Sequence, residues 1–323
     1  MFWDKLLTFF ASIFLSFIIG WFNFWIFRKL RAKFQSRVGP PWYQPFADII
    51  KLFGKEFFIP SLSQRSIYVF SPILSLSSIL ILSFLIPPGI PHWIGSFTGD
   101  LIVIIYFSVM FSLSFILAGV SSGNVFSFVG SSRETIMVLI VELPLAISLI
   151  IPSIILNSLY GFPSLSLSMI LEFQFSTWFS IFPNWFIFHA PFSALALFIC
   201  VLTKCSLKPF GDIPEAEQEI IAGPLTEYGG PLLGLFEISR LLRFYVFPAL
   251  FVNLYLGGGD TFIYPYNIII FLIKIFIVDV ILVIVDCIYP RFRIDQAFKW
   301  YMTFCLVLTL IDLFRFSLGV LVW

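Results

Sequence analysis

Tyr266-Asn267-Ile268-Ile269-Ile270-Phe271-Leu272-Ile273-Lys274-Ile275-Phe276-Ile277-Val278-Asp279-Val280-Ile281-Leu282-Val283-Ile284-Val285-Asp286-Cys287-Ile288 is an apolar run interrupted by one lysine and two aspartates. It exceeds the ~20 residues a bilayer requires. In hydrocarbon every backbone polar group must be satisfied inside the segment, so the run is expected to be a helix. Asp279 and Asp286 are seven residues apart, about two turns. They therefore share a face and lie ~10.5 Å apart along the axis, a spacing that suits steps in a water-linked proton path. Lys274 is offset by about 140° from Asp279, which argues against a simple pair within the helix.

Similar runs occupy 6–27, 67–86, 100–120, 134–155, 185–204, 228–256 and 299–321. The expected fold is an all-α integral membrane protein, one membrane domain over 1–323 with about eight transmembrane helices. With 59% hydrophobic and 11% charged residues and a mean hydropathy of +1.01, an ordinary soluble domain is excluded. A net charge of +1 suggests no nucleic-acid partner. The basic run after residue 27 follows its apolar core, the reverse of a signal peptide, so a retained helix is expected. The connections 29–66, 121–133, 205–227 and 289–298 hold most of the basic residues, and the opposite side offers only Lys5. The positive-inside rule makes these loops cytoplasmic and, with an even span count, puts both termini outside. The location expected is the cell membrane.

The connection 205–227 breaks the pattern by holding more acids than bases. Five of the eighteen acids, Asp212, Glu215, Glu217, Glu219 and Glu227, fall within it. Asp212 with Glu215 three residues on and Pro214 between them has the form of a helix start. That leaves Glu217, Glu219 and Glu227 unexplained, and Glu215 and Glu219 repel at i,i+4. A charge run ordinarily just solvates a surface. At a membrane boundary, however, desolvation and like charges both favour proton uptake by carboxylates. In the first connection, Phe46, Ile49, Ile50 and Phe53 recur at helical spacing opposite Asp48, Lys51 and Lys55, predicting an amphipathic interfacial helix. Such a helix serves either as a lipid anchor or as a docking surface.

Several motifs then fall in order on three loops. They are Arg37-x-Gly39-Pro40, Gln44-Pro45-x-Ala47-Asp48-x-x-Lys51-Leu52-x-x-Lys55-Glu56, Pro214-Glu215-Ala216-Glu217-Gln218-Glu219, Thr226-Glu227-Tyr228-Gly229-Gly230 and Pro290-Arg291-Phe292-Arg293-Ile294-Asp295-Gln296. Together they resemble the heel subunit of the respiratory complex I family, which joins the membrane arm to the peripheral arm and has homologues in membrane-bound [NiFe] hydrogenases and ferredoxin-linked sulfur reductases. Gly211 lengthens the family's Pro-Phe-Asp spacing. Gly234-Leu235-Phe236-Glu237-Ile238-Ser239-Arg240 also departs from the Glu-Tyr pair of quinone-reducing members. Both count against a quinone-binding cavity, and the Ser239-Arg240 ending resembles the hydrogenase branch.

The resemblance implies a coupling and anchoring subunit of an ion-translocating redox complex that moves protons or sodium. Cluster-bearing and hydrogenase-like peripheral subunits would sit on its loops, beside antiporter-like membrane subunits. Arg37, Asp48, Lys51, Lys55, Glu56, Arg133, Asp212, Arg291, Arg293 and Asp295 are the candidate docking residues. Glu142, Glu215, Glu217, Glu219, Glu227, Asp279 and Asp286 are the candidate coupling residues. Two alternatives stay open: a quinone-site subunit of an NAD(P)H or reduced-deazaflavin:quinone oxidoreductase, and a stand-alone ion or solute transporter. No internal repeat of the kind many transporters carry is visible.

Glu142, two residues before Pro144, is costly inside a span. Its expected partner is water or the backbone carbonyl that the proline frees. Glu237 with Arg240, and Asp312 with Arg315, have the three-residue spacing of helix ion pairs. Cys200, Cys205, Cys287 and Cys305 show no metal-binding spacing, and His92 and His189 are expected at the outer interface rather than as ligands. Iron–sulfur clusters, and in the hydrogenase branch a nickel–iron centre, are therefore expected in partner subunits, with no cofactor, metal or catalytic residue in this chain. The stretch 156–184 is expected as an outer interfacial segment.

Overall fold

The computed structural model describes residues 2–89, 93, 95–161, 164–175, 184–259 and 265–318. Among them all regular structure is helical. Helices α1 (Phe2–Phe34), α2 (Gln44–Phe53), α3 (Arg65–Leu85), α4 (Asp100–Ser121) and α5 (Val125–Tyr160) form the first part. Short α6 (Leu167–Gln174) and α7 (Phe186–His189) lead to α8 (Pro191–Lys204) and a one-turn α9 (Glu217–Ile220). The last part is α10 (Gly230–Tyr255), α11 (Tyr266–Ile288), α12 (Ile294–Trp300) and α13 (Leu306–Ser317), the final two joined by a π-helical turn over Tyr301–Cys305.

Among the described residues, six helical segments are long and apolar enough to cross a membrane: Phe9–Phe34, Arg65–Leu85, Asp100–Ser121, Val125–Leu159, Tyr266–Ile288 and Ile294–Ser317. This is a multi-pass membrane protein. The spans expected at 185–204 and 228–256 do not meet both criteria. Helix α8 has only 14 residues because Pro191 starts it afresh after α7, and α10, with 26, carries Glu237, Arg240 and Arg243 in its N-terminal and middle turns.

The loop expected at 121–133 shrinks to three residues, because Asn124 Oδ1 accepts the Phe126 N–H at 2.8 Å and starts α5 there. Arg133 and Glu134 consequently lie on a helix. Likewise, Arg28, Lys29, Arg31 and Lys33 extend α1 instead of beginning a loop. The amphipathic helix forms as expected, as α2. It buries Pro45 and Ile49 and leaves Phe46, Ile50 and Phe53 more exposed.

Interior prolines organise the packing. Proline lacks an N–H, so it leaves the carbonyl four residues earlier without its helix donor. The Tyr68 carbonyl freed by Pro72 takes the Tyr228 hydroxyl at 3.1 Å. Pro152 frees Ser148, whose carbonyl takes the Tyr255 hydroxyl at 2.7 Å. Pro248 frees Phe244, whose carbonyl takes Asn23 Nδ2 at 3.3 Å. Each donor comes from a different helix or its preceding turn. Leaving such a carbonyl unpaired would cost about 1–3 kcal/mol, so these bonds fix where α3, α5 and α10 meet their neighbours.

The helix start expected at Asp212 does not form. Residues 206–216 make turns, and only Glu217–Ile220 is helical. Asp212 gives its carboxylate to Arg291 instead of to backbone N–H groups, and Phe210 inserts among Phe292, Trp300 and Tyr301, with ring centroids 4.7–5.1 Å away. These long-range contacts override the local capping signal. The loop then folds over itself at Gly223, whose φ is +55° and where a Cβ would lie 2.1 Å from the Pro214 carbonyl oxygen. Only glycine fits there.

Candidate functional site

The folded-back loop delivers Glu215 to the end of α10, where Arg240 Nη2 holds its carboxylate at 2.9 Å. Arg240 Nη1 also binds Glu237 at 2.7 Å, the pair expected from the spacing. Burial by itself would push the Glu215 carboxyl up, but Arg240 and Arg243 outweigh it and hold it below the usual range. Asp212, by contrast, is raised by burial in spite of its Arg291 partner.

Glu215 faces a small cavity of about 40 Å³ whose wall also includes Glu134, Lys204, Ser112, Ser206 and Arg243. That is room for one water molecule. Arg243 is 6% exposed and donates from Nη1 to Ser206 Oγ at 2.7 Å. Its Nε is buried without a hydrogen-bond partner among the described residues, an orphaned donor on a residue of the cavity wall.

On the far side of the cavity is the ion pair Lys204–Glu142. Lys204 Nζ also donates to Ser112 Oγ at 2.8 Å and to the Ser108 carbonyl at 3.3 Å. Ser108 Oγ donates to the other Glu142 oxygen at 3.2 Å. Glu142 therefore does not use the backbone freed by Pro144, because an ammonium is a stronger partner for a carboxylate than a neutral group. The result is a row of charges running from the loop to the middle of α5: Glu237, Arg240, Glu215, the cavity with Glu134 and Arg243, Lys204, then Glu142.

The other candidate carboxyls do not join this row. Glu219 pairs with Arg133 near the surface. The Glu227 side chain accepts from Asn124, while its backbone oxygen takes the Tyr68 hydroxyl at 2.8 Å. The side chain of Glu217 lies outside the described residues. Asp286 is fixed by the Lys208 backbone N–H at 2.9 Å and by Arg31 Nε at 3.3 Å, the latter at ion-pair distance but off the hydrogen-bond line. Asp279 is 4% exposed and neither oxygen has a hydrogen-bond partner among the described residues. The two aspartates thus differ sharply: one is held in place, the other is unpartnered.

Among the docking candidates, Arg37, Lys51, Lys55, Glu56, Arg293 and Asp295 are exposed. Asp48 is tied to Arg28 at 3.1 Å. Asp312 and Arg315 pair at 2.9 Å as their spacing implies, and Asp312 also accepts the Ser193 N–H. His189 is buried and bonded to Asn184 instead of sitting at an open interface, and His92 lies outside the described residues. In the stretch 156–184, α6 packs against α10, and 176–183 lie outside the described residues.

Sequence reasoning missed Lys204 and Glu134. Lys204 ends an apolar run, where a basic residue ordinarily marks the membrane edge. Glu134 follows Arg133 as the first residue of the expected span 134–155, where a charge ordinarily marks the membrane edge.

An all-helical multi-pass protein with charges threading inward from a folded-back loop is the class that fold and site define. The chain belongs to the family whose model is described as NADH dehydrogenase, which matches residues 6–317. It is also similar to a chain in the structure of the membrane-bound sulfane sulfur reductase, an archaeal respiratory membrane complex. Identity is 27% and the TM-score 0.85, over 97% of this chain and 100% of that one.

Proposed function

We propose that this chain is the anchoring and coupling subunit of a ferredoxin-linked, ion-translocating redox complex of the hydrogenase or sulfur reductase type. The carrying observation is the row of charges from Glu215 through the cavity to Glu142, which joins the docking loop to the interior of a span. Charge changes in a peripheral partner seated on the loops would be felt first at Glu215 and passed inward as proton affinity, since one unit of pKa corresponds to about 1.4 kcal/mol. The resemblance to the sulfur reductase chain supports this branch. The exposed bases on α2 and the 289–298 loop would dock a peripheral arm holding the clusters, with antiporter-like subunits alongside, and the loop face would be cytoplasmic.

The test uses the intact complex and counts ions moved per electron. Glu142→Gln and Glu134→Gln retain volume and hydrogen bonding but cannot carry a proton. Both are expected to lower that ratio. Unaltered ratios in both variants would make the subunit an anchor only.

One observation favours a second reading, a quinone site. A groove of about 350 Å³ lies between α1, α2 and α10, lined by Phe24, Ile49, Leu52 and Leu241 with Arg28 and Asp48 at its rim. Inhibitor-sensitive quinone turnover by the complex, in place of ferredoxin-driven hydrogen evolution or sulfur reduction, would select it.

A further inference from the structure

Glu134 and Glu142 are eight residues apart on α5, which places them ~12 Å apart along the axis and 80° apart around it on an ideal helix. Lys204 stands between them. Its ammonium is bound to Glu142, and Lys204 also lines the cavity whose wall includes Glu134. Glu134 makes no ion pair or hydrogen bond among the described residues. A lysine has a flexible four-carbon stem and three donors, so it can change partners without backbone movement.

We propose that Lys204 is a movable counter-ion that exchanges between Glu142 and Glu134 as a proton passes the opposite way. This deepens the coupling reading and rests on it. In the first state, which has the ion pair of this structure, the ammonium neutralises ionised Glu142 and Glu134 holds the proton. In the second state the ammonium has swung to Glu134, now ionised, and Glu142 holds the proton. Two carboxyls, one ammonium and one proton are present in both states. The outward step of the ammonium cancels the inward step of the proton electrically. No net charge is therefore stranded in the low-dielectric interior, where an unpaired ion costs several kcal/mol.

The groups facing the ammonium are consistent with this exchange. From α4 come only the neutral Ser108 and Ser112, from α5 the two glutamates, and from α8 itself Cys200 one turn away. Glu215 from the loop and Arg243 from α10 line the cavity. Arg243 repels an ammonium moving toward it and Glu215 attracts it. Loss of the Glu215 charge, or its screening by a docked partner, therefore shifts the balance toward Glu142.

The experiment is infrared difference spectroscopy of the intact complex, reduced against oxidised, in parallel with ions moved per electron. Two carboxylic-acid C=O bands of opposite sign are expected, one belonging to each glutamate. Because the exchange needs both sites, Glu134→Gln should abolish the Glu142 band along with its own. Independent carboxyls would keep it, and that result overturns the switch. Lys204→Arg retains the charge but grips a carboxylate bidentately, so it should abolish both bands and the ion movement. A normal ratio in Lys204→Arg also overturns the switch. If Glu134→Gln and Glu142→Gln lower the ratio while Lys204→Arg does not, the carboxyl row stands and only the switch fails. If neither glutamine variant lowers it, the coupling reading fails first.

Discussion

Asp279 is a buried carboxyl whose two oxygens are unpartnered among the described residues, and replacing it with leucine separates what it does for the fold from what it does for coupling. Leucine has the same branched skeleton, with methyl groups in place of the two oxygens. A buried acceptor left unmade costs about 1–3 kcal/mol. The carboxyl has two such acceptors, and the larger methyls return about 1–3 kcal/mol of strain against them. Neighbours of this face of α11 are the apolar Val278, Leu282 and Val283 in the same buried layer, so methyl groups are chemically at home. Asp279→Leu is therefore expected to stabilise the protein by about 1–2 kcal/mol. Denaturant titration of the purified protein in detergent, followed by tryptophan fluorescence, measures this directly. Destabilisation by more than about 1 kcal/mol would mean that the carboxyl has a partner, and the reasoning would be wrong. Stabilisation with a lowered ratio of ions to electrons would mark Asp279 as a residue retained at a cost in stability.

Breaking the Lys204–Glu142 pair from one side has the opposite sign. Lys204→Met should cost about 3–5 kcal/mol by stranding a buried carboxylate, and Lys204→Met with Glu142→Leu should recover most of it; a double-mutant cycle on the same titration decides. Tyr255→Phe removes the donor to the Ser148 carbonyl and should cost about 1–3 kcal/mol. In a Pro152→Ala background the loss should shrink, because the alanine N–H supplies that carbonyl, and an unchanged loss would refute the proline account. Glu215 gives a pH signature. Its folded value lies below the ordinary 4.5, so its contribution is present above 4.5 and disappears as pH falls through the folded value. Stability of the unmodified protein should therefore fall with acidification below about 4.5 more steeply than that of Glu215→Gln, as followed by thermal unfolding across that range.

What the sequence made legible was whatever local spacing governs. Apolar runs marked the spans because a bilayer enforces length and composition together. The period of Phe46, Ile49, Ile50 and Phe53 gave α2. Three-residue spacing gave Glu237–Arg240 and Asp312–Arg315. Glu142 stood out because charge inside a span is rare. The failures share one physical cause, which is that the deciding partner was distant in the chain. Asp212 reads as a helix cap until Arg291 takes it. Glu215 finds Arg240, and Glu142 finds Lys204 from another helix. No window of neighbouring residues carries that information. The span count fared less well for a related reason: α10 satisfies its charges internally and against the loop, so length and hydropathy do not describe it.

The bonds at Pro72, Pro152 and Pro248 have a mechanical consequence. A helix is weakest in bending where a proline interrupts its ladder, and such points ordinarily act as hinges. Here each weak point is riveted to another element by a side chain that occupies the freed carbonyl. These helices are thus braced at those three sections, and a push on the loop face is carried through them into the bundle as tilting of rods instead of being absorbed there as local flexing.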